Sequence, residues 1–263
     1  MTSPAKLSCL VLLALVLAAA SAGSADASQQ QPEYGMCSKA AKVGRTFTGG
    51  FNDKACTQPN ADGEGKYRLA PVKTPYGFLA AVKPSVFYYR APKGGVVWQV
   101  KCPGTEAKGV ITGPATSAET MILESCVAKD VAAAGKALHC GHVVVAVETA
   151  LVELLPGGAP GLLVYPGFAK AFTCESVTFG QMVGFEVGAV EDTGKGPLAS
   201  LTVNPATGEP TLGSFYDFEE HEPFTASLES EVSGSSPPVL EVGLQAAIPL
   251  AASKELVVVR PAS

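Results

Sequence analysis

Six cysteines constrain this chain more than any other feature: Cys37, Cys56, Cys102, Cys126, Cys140 and Cys174. They punctuate short apolar segments, and the clearest of these lie between Val96 and Cys126. The stretch holds Val-Val-Trp-Gln-Val-Lys-Cys, then Gly-Val-Ile-Thr-Gly-Pro, then Met-Ile-Leu-Glu-Ser-Cys. Val96, Trp98, Val100 and Cys102 share one face, and Gln99 and Lys101 share the other, which is the alternation of a half-buried strand. The three segments are expected to form a meander, with a half-cystine closing each outer strand.

The N terminus carries the marks of export. Met-Thr-Ser-Pro-Ala-Lys precedes an almost wholly apolar run from Leu7 to Ala20, and Ala25-Asp-Ala27 follows. A basic start, about 14 apolar residues and an A-x-A exit make a secretory signal peptide. A spanning helix needs about 20 apolar residues. Residues 1–27 are therefore expected to be removed, together with a seventh cysteine, Cys9. Membrane contact is then confined to export, and the protein is secreted or held at the cell envelope.

In an exported chain an even set of half-cystines implies a disulfide framework. Sequential pairing, Cys37–Cys56, Cys102–Cys126 and Cys140–Cys174, lets each bridge bracket a hairpin-sized segment. The outer strands of the meander bring Cys102 and Cys126 together. Cys140 opens an apolar strand, and Cys174 ends one that returns after a hairpin at Pro156-Gly-Gly-Ala-Pro-Gly161. The first pair rests on elimination.

The mature chain, about 236 residues from Ser28, is long enough for a core without disulfides. Charged residues make up 16% and hydrophobic residues 47%, which excludes general disorder. From Ser28 to Cys174 there are 15 Lys or Arg against 10 Asp or Glu, and beyond Cys174 there are 3 against 13. An acidic second half and a net charge of −5 argue against a nucleic-acid partner.

Residues 28–263 are expected to form one all-β domain with a flexible leader from Ser28 to Glu33. Cys37 to Cys56 suggests a small looped hairpin, and Gly63-Glu-Gly65 breaks the chain again. Pro71, Pro75 and Pro84 suit irregular or edge positions. Ser85 to Arg90 has strand composition, whereas Lys129 to Leu138 has that of one or two helical turns, limited by Gly135. His139 to Glu148, Leu151 to Leu155, Leu162 to Tyr165, Phe168 to Phe179 and Val183 to Val190 supply further strands. Leu201 to Val203 and Thr211 to Phe218 flank a turn at Asn204-Pro-Ala-Thr-Gly208. Ser233 to Pro238 is an exposed loop, and Val239 to Leu250 and Leu256 to Arg260 complete the sheet. Many short strands separated by frequent turns mean an antiparallel β-sandwich or a barrel-like fold.

The order of Asn52-Asp-Lys-Ala-Cys56, Gly65-Lys-Tyr67, Val100-Lys-Cys102, Gly109-Val-Ile-Thr-Gly-Pro114, Cys126, Cys140 and Cys174 resembles a family of exported, β-rich actinobacterial proteins. The likeness runs on to Gly243-Leu-Gln-Ala and Glu255-Leu-Val-Val. It implies secretion and an all-β fold. The family has no assigned activity, so the resemblance carries over no site residue.

Few residues suggest chemistry. Asp217-Phe-Glu-Glu-His-Glu222 packs four carboxylates and an imidazole into six positions. In an extended strand Asp217, Glu219 and His221 share a face, with Glu220 and Glu222 opposite. Two carboxylates about 5 to 9 Å apart across a groove hydrolyse glycosidic bonds, and the same oxygens suit calcium, although the EF-hand spacing is absent. A solvated strand end or loop is the simpler reading. His139-Cys140-Gly141-His142 has zinc-site residue types. A regular strand, however, separates the two histidines onto opposite faces, and Cys140 belongs to a disulfide, so no metal is expected. Phe87-Tyr-Tyr-Arg90 offers rings for sugar stacking or, more simply, for the core. Gly188 to Gly196 fails as a phosphate loop, since Gly196 stands where Ser or Thr is needed. Neither G-x-S-x-G nor H-E-x-x-H occurs, and no cofactor is implied.

These observations favour an exported, non-enzymatic structural or surface-binding protein whose partner is a cell-envelope glycan or protein. The alternative is a carboxylate-dependent, carbohydrate-active hydrolase using Asp217, Glu219, Glu220, His221 and Glu222.

Overall fold

Glycines let one long strand serve two sheets, and this decides the architecture. The structure is a computed structural model that describes residues 31–81, 84–92, 94–104, 106–131, 135–165, 171–192, 197–212, 214–218, 222–235, 239–250 and 255–259. The expected signal segment, residues 1–27, lies outside the described residues.

In chain order the strands are β1 (Glu33–Lys39), β2 (Lys42–Val43), β3 (Thr46–Phe47), β4 (Tyr67–Pro71), β5 (Tyr76–Ala81), β6 (Ser85–Arg90) and β7 (Val96–Cys102). There follow β8 (Glu106–Ile111), β9 (Thr116–Leu123), β10 (Val127–Asp130), β11 (Leu138–His139), β12 (Val143–Leu154), β13 (Pro160–Tyr165) and β14 (Phe172–Cys174). The last are β15 (Val177–Asp192), β16 (Pro197–Leu201), β17 (Ser214–Asp217), β18 (Glu222–Thr225), β19 (Ser227–Val232), β20 (Val239–Pro249) and β21 (Leu256–Val259). The fold is all-β, and no helix occurs among the described residues.

The N-terminal half of β15 pairs with β14 and β19, and its C-terminal half with β13 and β16. β20 divides in the same way between β19 and β16, with β6 along its other edge. One sheet therefore runs β11-β10-β7-β6-β20-β19-β15-β14, and the other runs β5-β8-β9-β12-β13-β15-β16-β20. The register of β15 shifts between Phe179 and Met182, and Gly184 adopts φ 110°. A Cβ there would stand 2.1 Å from the Ser227 carbonyl oxygen. Only glycine bends the strand at this point.

The first sheet closes on itself. Cys140, just after β11, pairs with Cys174 of β14, and a disulfide joins the two. Cys102 and Cys126 are also bonded, with Cα atoms 4.1 Å apart. Val127 faces Lys101 across β10 and β7, so Cys126 comes opposite Cys102. The third bond, Cys37–Cys56, ties β1 to the loop that follows β3. All three follow the sequential pairing, but the expected meander is corrected. β7 pairs with β6 and β10, whereas β8 and β9 belong to the other sheet. The bridge therefore joins strands hydrogen-bonded to one another, one turn later in the chain than the meander put it.

Other boundaries also differ. The segment with helical composition is β10 followed by a turn at Val131, and β11 begins at Leu138. Phe168 to Phe179 is not one strand: the chain reverses at Glu175, φ 50°, between β14 and β15. The expected leader is held from Gln31, whose Nε2 donates to the Leu151 carbonyl at 3.1 Å. Glu33 already belongs to β1, which joins β21 and β4 in a separate three-stranded sheet.

Alternation sets the core. Along β9 Ser117, Glu119, Met121 and Leu123 are buried and Thr116, Ala118, Thr120 and Ile122 are exposed. The principal core joins both sheets through Tyr89, Phe179, Phe87, Leu151, Leu162 and Leu240. Rings cluster around Phe179, with Tyr89 4.8 Å, Phe172 5.0 Å and Trp98 5.8 Å away between centroids. A second cluster, Val152, Leu154, Leu163, Val187 and Phe215, is separate from it. It forms where the β17–β18 hairpin pairs with the end of β12, Leu154 opposite Phe215.

Candidate functional site

Of the acidic candidates, Asp217 and Glu222 are the ones whose backbone the structure describes. β17 and β18 form a hairpin in which Asp217 pairs with Glu222. Glu219, Glu220 and His221 lie outside the described residues, and Glu222 is exposed. Phe87, Tyr88 and Tyr89 are buried and offer no rings to a ligand. His139 is exposed, and His142 is a surface residue whose Nδ1 lies 3.6 Å from Glu124 Oε1. Among the described residues no three His, Cys, Asp or Glu side chains gather as metal ligands.

A different place has the shape of a site. Among the described residues, the outer face of the second sheet exposes Val110, Ala118 and Glu148 beyond the β17–β18 hairpin. Cross-strand partners fix what it presents: Val110 faces Ala118, Ala118 faces Glu148, and Glu148 faces Tyr165. The next row holds Lys108, Thr120 and Ala146. Small residues at Ala118, Ala146 and Ala150 leave a depression, because neighbouring Cβ atoms stand only about 5 Å apart and longer side chains would fill it.

The depression is two cavities that run together. One, of about 380 Å³, is lined by Gln31, Thr112, Thr116, Glu148, Tyr165 and Phe218. The other, of about 390 Å³, is lined by Lys108, Val110, Thr120 and Ala146. Ala118 and Glu148 border both. Each cavity falls in the range of small-molecule sites. Phe218 reaches the rim from the hairpin, and Tyr216 packs against it with ring centroids 5.2 Å apart. Tyr165 is likewise braced by Phe185 at 5.9 Å. The Thr112 and Thr116 hydroxyls are 3.0 Å apart and hydrogen-bonded.

Directly beneath this floor lies a buried polar group. Ser117 Oγ is 2.5 Å from Thr149 Oγ1, 3.5 Å from Glu119 Oε1 and 3.5 Å from the Tyr34 hydroxyl. Burial pushes the Glu119 carboxyl up to about 7, against the lowering effect of the Ser117 hydrogen bond. In β15 burial pushes the Glu186 carboxyl up to about 8, opposed by the Leu244 N–H. Glu119 Oε2 and Glu186 Oε1 are buried without a partner among the described residues. Along β9 Glu119 is buried where Ala118 and Thr120 are exposed, and Glu186 lies among the core side chains of Phe87, Val145 and Leu244.

Sequence reasoning missed the groove because its residues are ordinary outward positions of alternating strands. The available signal was size: alanine where β9 and β12 turn outward.

Searches against protein-family models, curated proteins and solved structures found no match.

Proposed function

We propose that this chain is an exported, non-enzymatic surface-binding protein whose ligand lies in the groove of the second sheet. The observation that carries this reading is the meeting of two cavities at Ala118 and Glu148, on a face whose polar groups and rings are braced in advance. Three disulfides suit an oxidising exterior. The export signal at residues 1–27 and the resemblance to exported actinobacterial proteins point the same way. The cell envelope is then the first place to look for the ligand.

The test is co-sedimentation of the purified mature protein with insoluble cell-envelope material. Ala118→Trp fills the junction of the cavities from an exposed position. It is expected to abolish sedimentation while leaving thermal unfolding unchanged. Undiminished sedimentation of this variant would overturn the groove.

A second reading, a carboxylate-dependent hydrolase, has one observation in its favour. The hairpin register sets Asp217 across from Glu222, beside Phe218 at the rim. Release of reducing sugar from glycan substrates would support that reading, and binding without release supports the module.

A further inference from the structure

We propose that the groove binds a linear oligosaccharide in two adjoining subsites joined at Glu148. This inference rests on the groove reading above and adds the chemistry of the occupant.

The floor decides against a peptide. β8, β9, β12 and β13 are each hydrogen-bonded to neighbours on both edges along the groove. Their backbone N–H and C=O groups are committed to the ladder, so an extended peptide gains nothing by strand addition, which draws its affinity from main-chain hydrogen bonds. What the floor offers is side chains. Nucleic acid is disfavoured by the Glu148 carboxylate at the centre and by the net charge of −5.

The side chains match a sugar. Tyr165 and Phe218 present half-buried rings, each held by a second ring, and a pyranose places its apolar C–H face on such a surface. The paired Thr112 and Thr116 hydroxyls still offer one O–H donor and several lone pairs. The Gln31 amide is anchored through Nε2 on the Leu151 carbonyl. Glu148 accepts hydrogen bonds from hydroxyls of sugars on either side of the junction, and Lys108 donates at the far end. The rings, the Gln31 amide and the paired threonines gather in one cavity, and Lys108, Val110 and Thr120 line the other, so one sugar unit stacks and the next is held by Glu148 and Lys108. Because the groups are pre-positioned, little ordering opposes binding.

The experiment is calorimetric titration of the mature protein with cello-, chito- and manno-oligosaccharides of increasing length. At least one series is expected to bind, with affinity rising at least tenfold from monosaccharide to the first oligomers and then levelling. Tyr165→Ala is expected to lower affinity for every length at least tenfold. Lys108→Ala is expected to weaken oligomers while leaving the monosaccharide unchanged. Affinity independent of length, or full affinity in Tyr165→Ala, would overturn the proposal. If Ala118→Trp loses envelope sedimentation yet no oligosaccharide binds the wild type, the groove stands and the glycan assignment fails. If Ala118→Trp still sediments, the groove reading itself fails. Glu148→Gln, which keeps the floor's shape, is expected to reduce affinity without altering the unfolding midpoint, and unchanged affinity counts against the junction.

Discussion

The backbone N–H of Leu244 donates to Glu186 Oε2 at 2.8 Å, where β15 and β20 lose their shared neighbours. β19 fills the space between them as far as the Phe185–Ser227 pair, and β16 resumes at Ala189–Ser200. Neither strand reaches Leu244. The Glu186 carboxyl supplies the ladder partner that the gap withholds, so a buried polar side chain stabilises the passage of both strands between sheets.

Stability is expected to fall as pH rises through neutrality. Burial raises the Glu186 carboxyl to about 8 from 4.5, and Glu119 to about 7 from 4.5. The folded protein therefore keeps protons that the unfolded chain has released. Above the unfolded value near 4.5, each group lowers stability by up to about 1.4 kcal/mol per pH unit until its folded value is passed. Chemical denaturation between pH 5 and pH 8, roughly the window set by these shifts, checks this. Glu186→Gln keeps an acceptor for Leu244 and is expected to flatten the profile. An equally steep profile in Glu186→Gln and Glu119→Gln would refute the assignment.

Ser117→Ala is expected to destabilise more than its size suggests. The hydroxyl serves Thr149, Glu119 and Tyr34 at once, and its loss strands buried polar atoms. Such groups cost about 1–3 kcal/mol when left unmatched. Urea denaturation at low pH, with Glu119 protonated, measures the loss free of the carboxylate's charge.

The sequence was most legible where one principle acted alone. Alternation located β7, strand composition located β6, and pairing the six half-cystines in sequence gave the three disulfides. It misled where tertiary context took over. Lys129 to Leu138 is rich in alanine, yet pairing of Ala128 with Val100 and Leu138 draws both ends of the segment into the first sheet. Val177 to Asp192 was divided because its glycines resemble breaks, whereas they bend one continuous strand. The groove was illegible for another reason: it depends on which strands are neighbours, and the β8–β9 and β12–β13 hairpins meet only through the pairing of β9 with β12.

Gly184→Ala tests the bend. The residue combines φ 110° with a Cβ position 2.1 Å from the Ser227 oxygen, so a methyl group must displace β19. Strain of this kind costs about 1–3 kcal/mol from the backbone alone, and the displaced contact adds to it. Gly77→Ala, at an exposed position with nothing within 4 Å of the added Cβ, serves as the control and is expected to change stability by less than about 0.5 kcal/mol. Thermal unfolding of the two variants under identical conditions compares them.

Removing the Cys140–Cys174 bridge, as Cys140→Ser with Cys174→Ser, is expected to be the most costly loss of a disulfide in this protein. The bridge spans 34 residues, the longest of the three intervals, and loop closure favours the longest loop. It also holds the seam of the first sheet, where Cys140 and Cys174 pair and β11 has only two residues of strand. Its loss is expected to cost about 2–5 kcal/mol and to release β11 and β14 first. Cys37 and Cys56 belong to a small separate cluster with Val257, so removing their bridge should loosen β1 to β4 and leave the seam intact. Hydrogen exchange distinguishes the two, since faster exchange in β14 is expected only for the Cys140–Cys174 variant. Unchanged β14 protection in that variant would show that the backbone pairing closes the sheet without the bond.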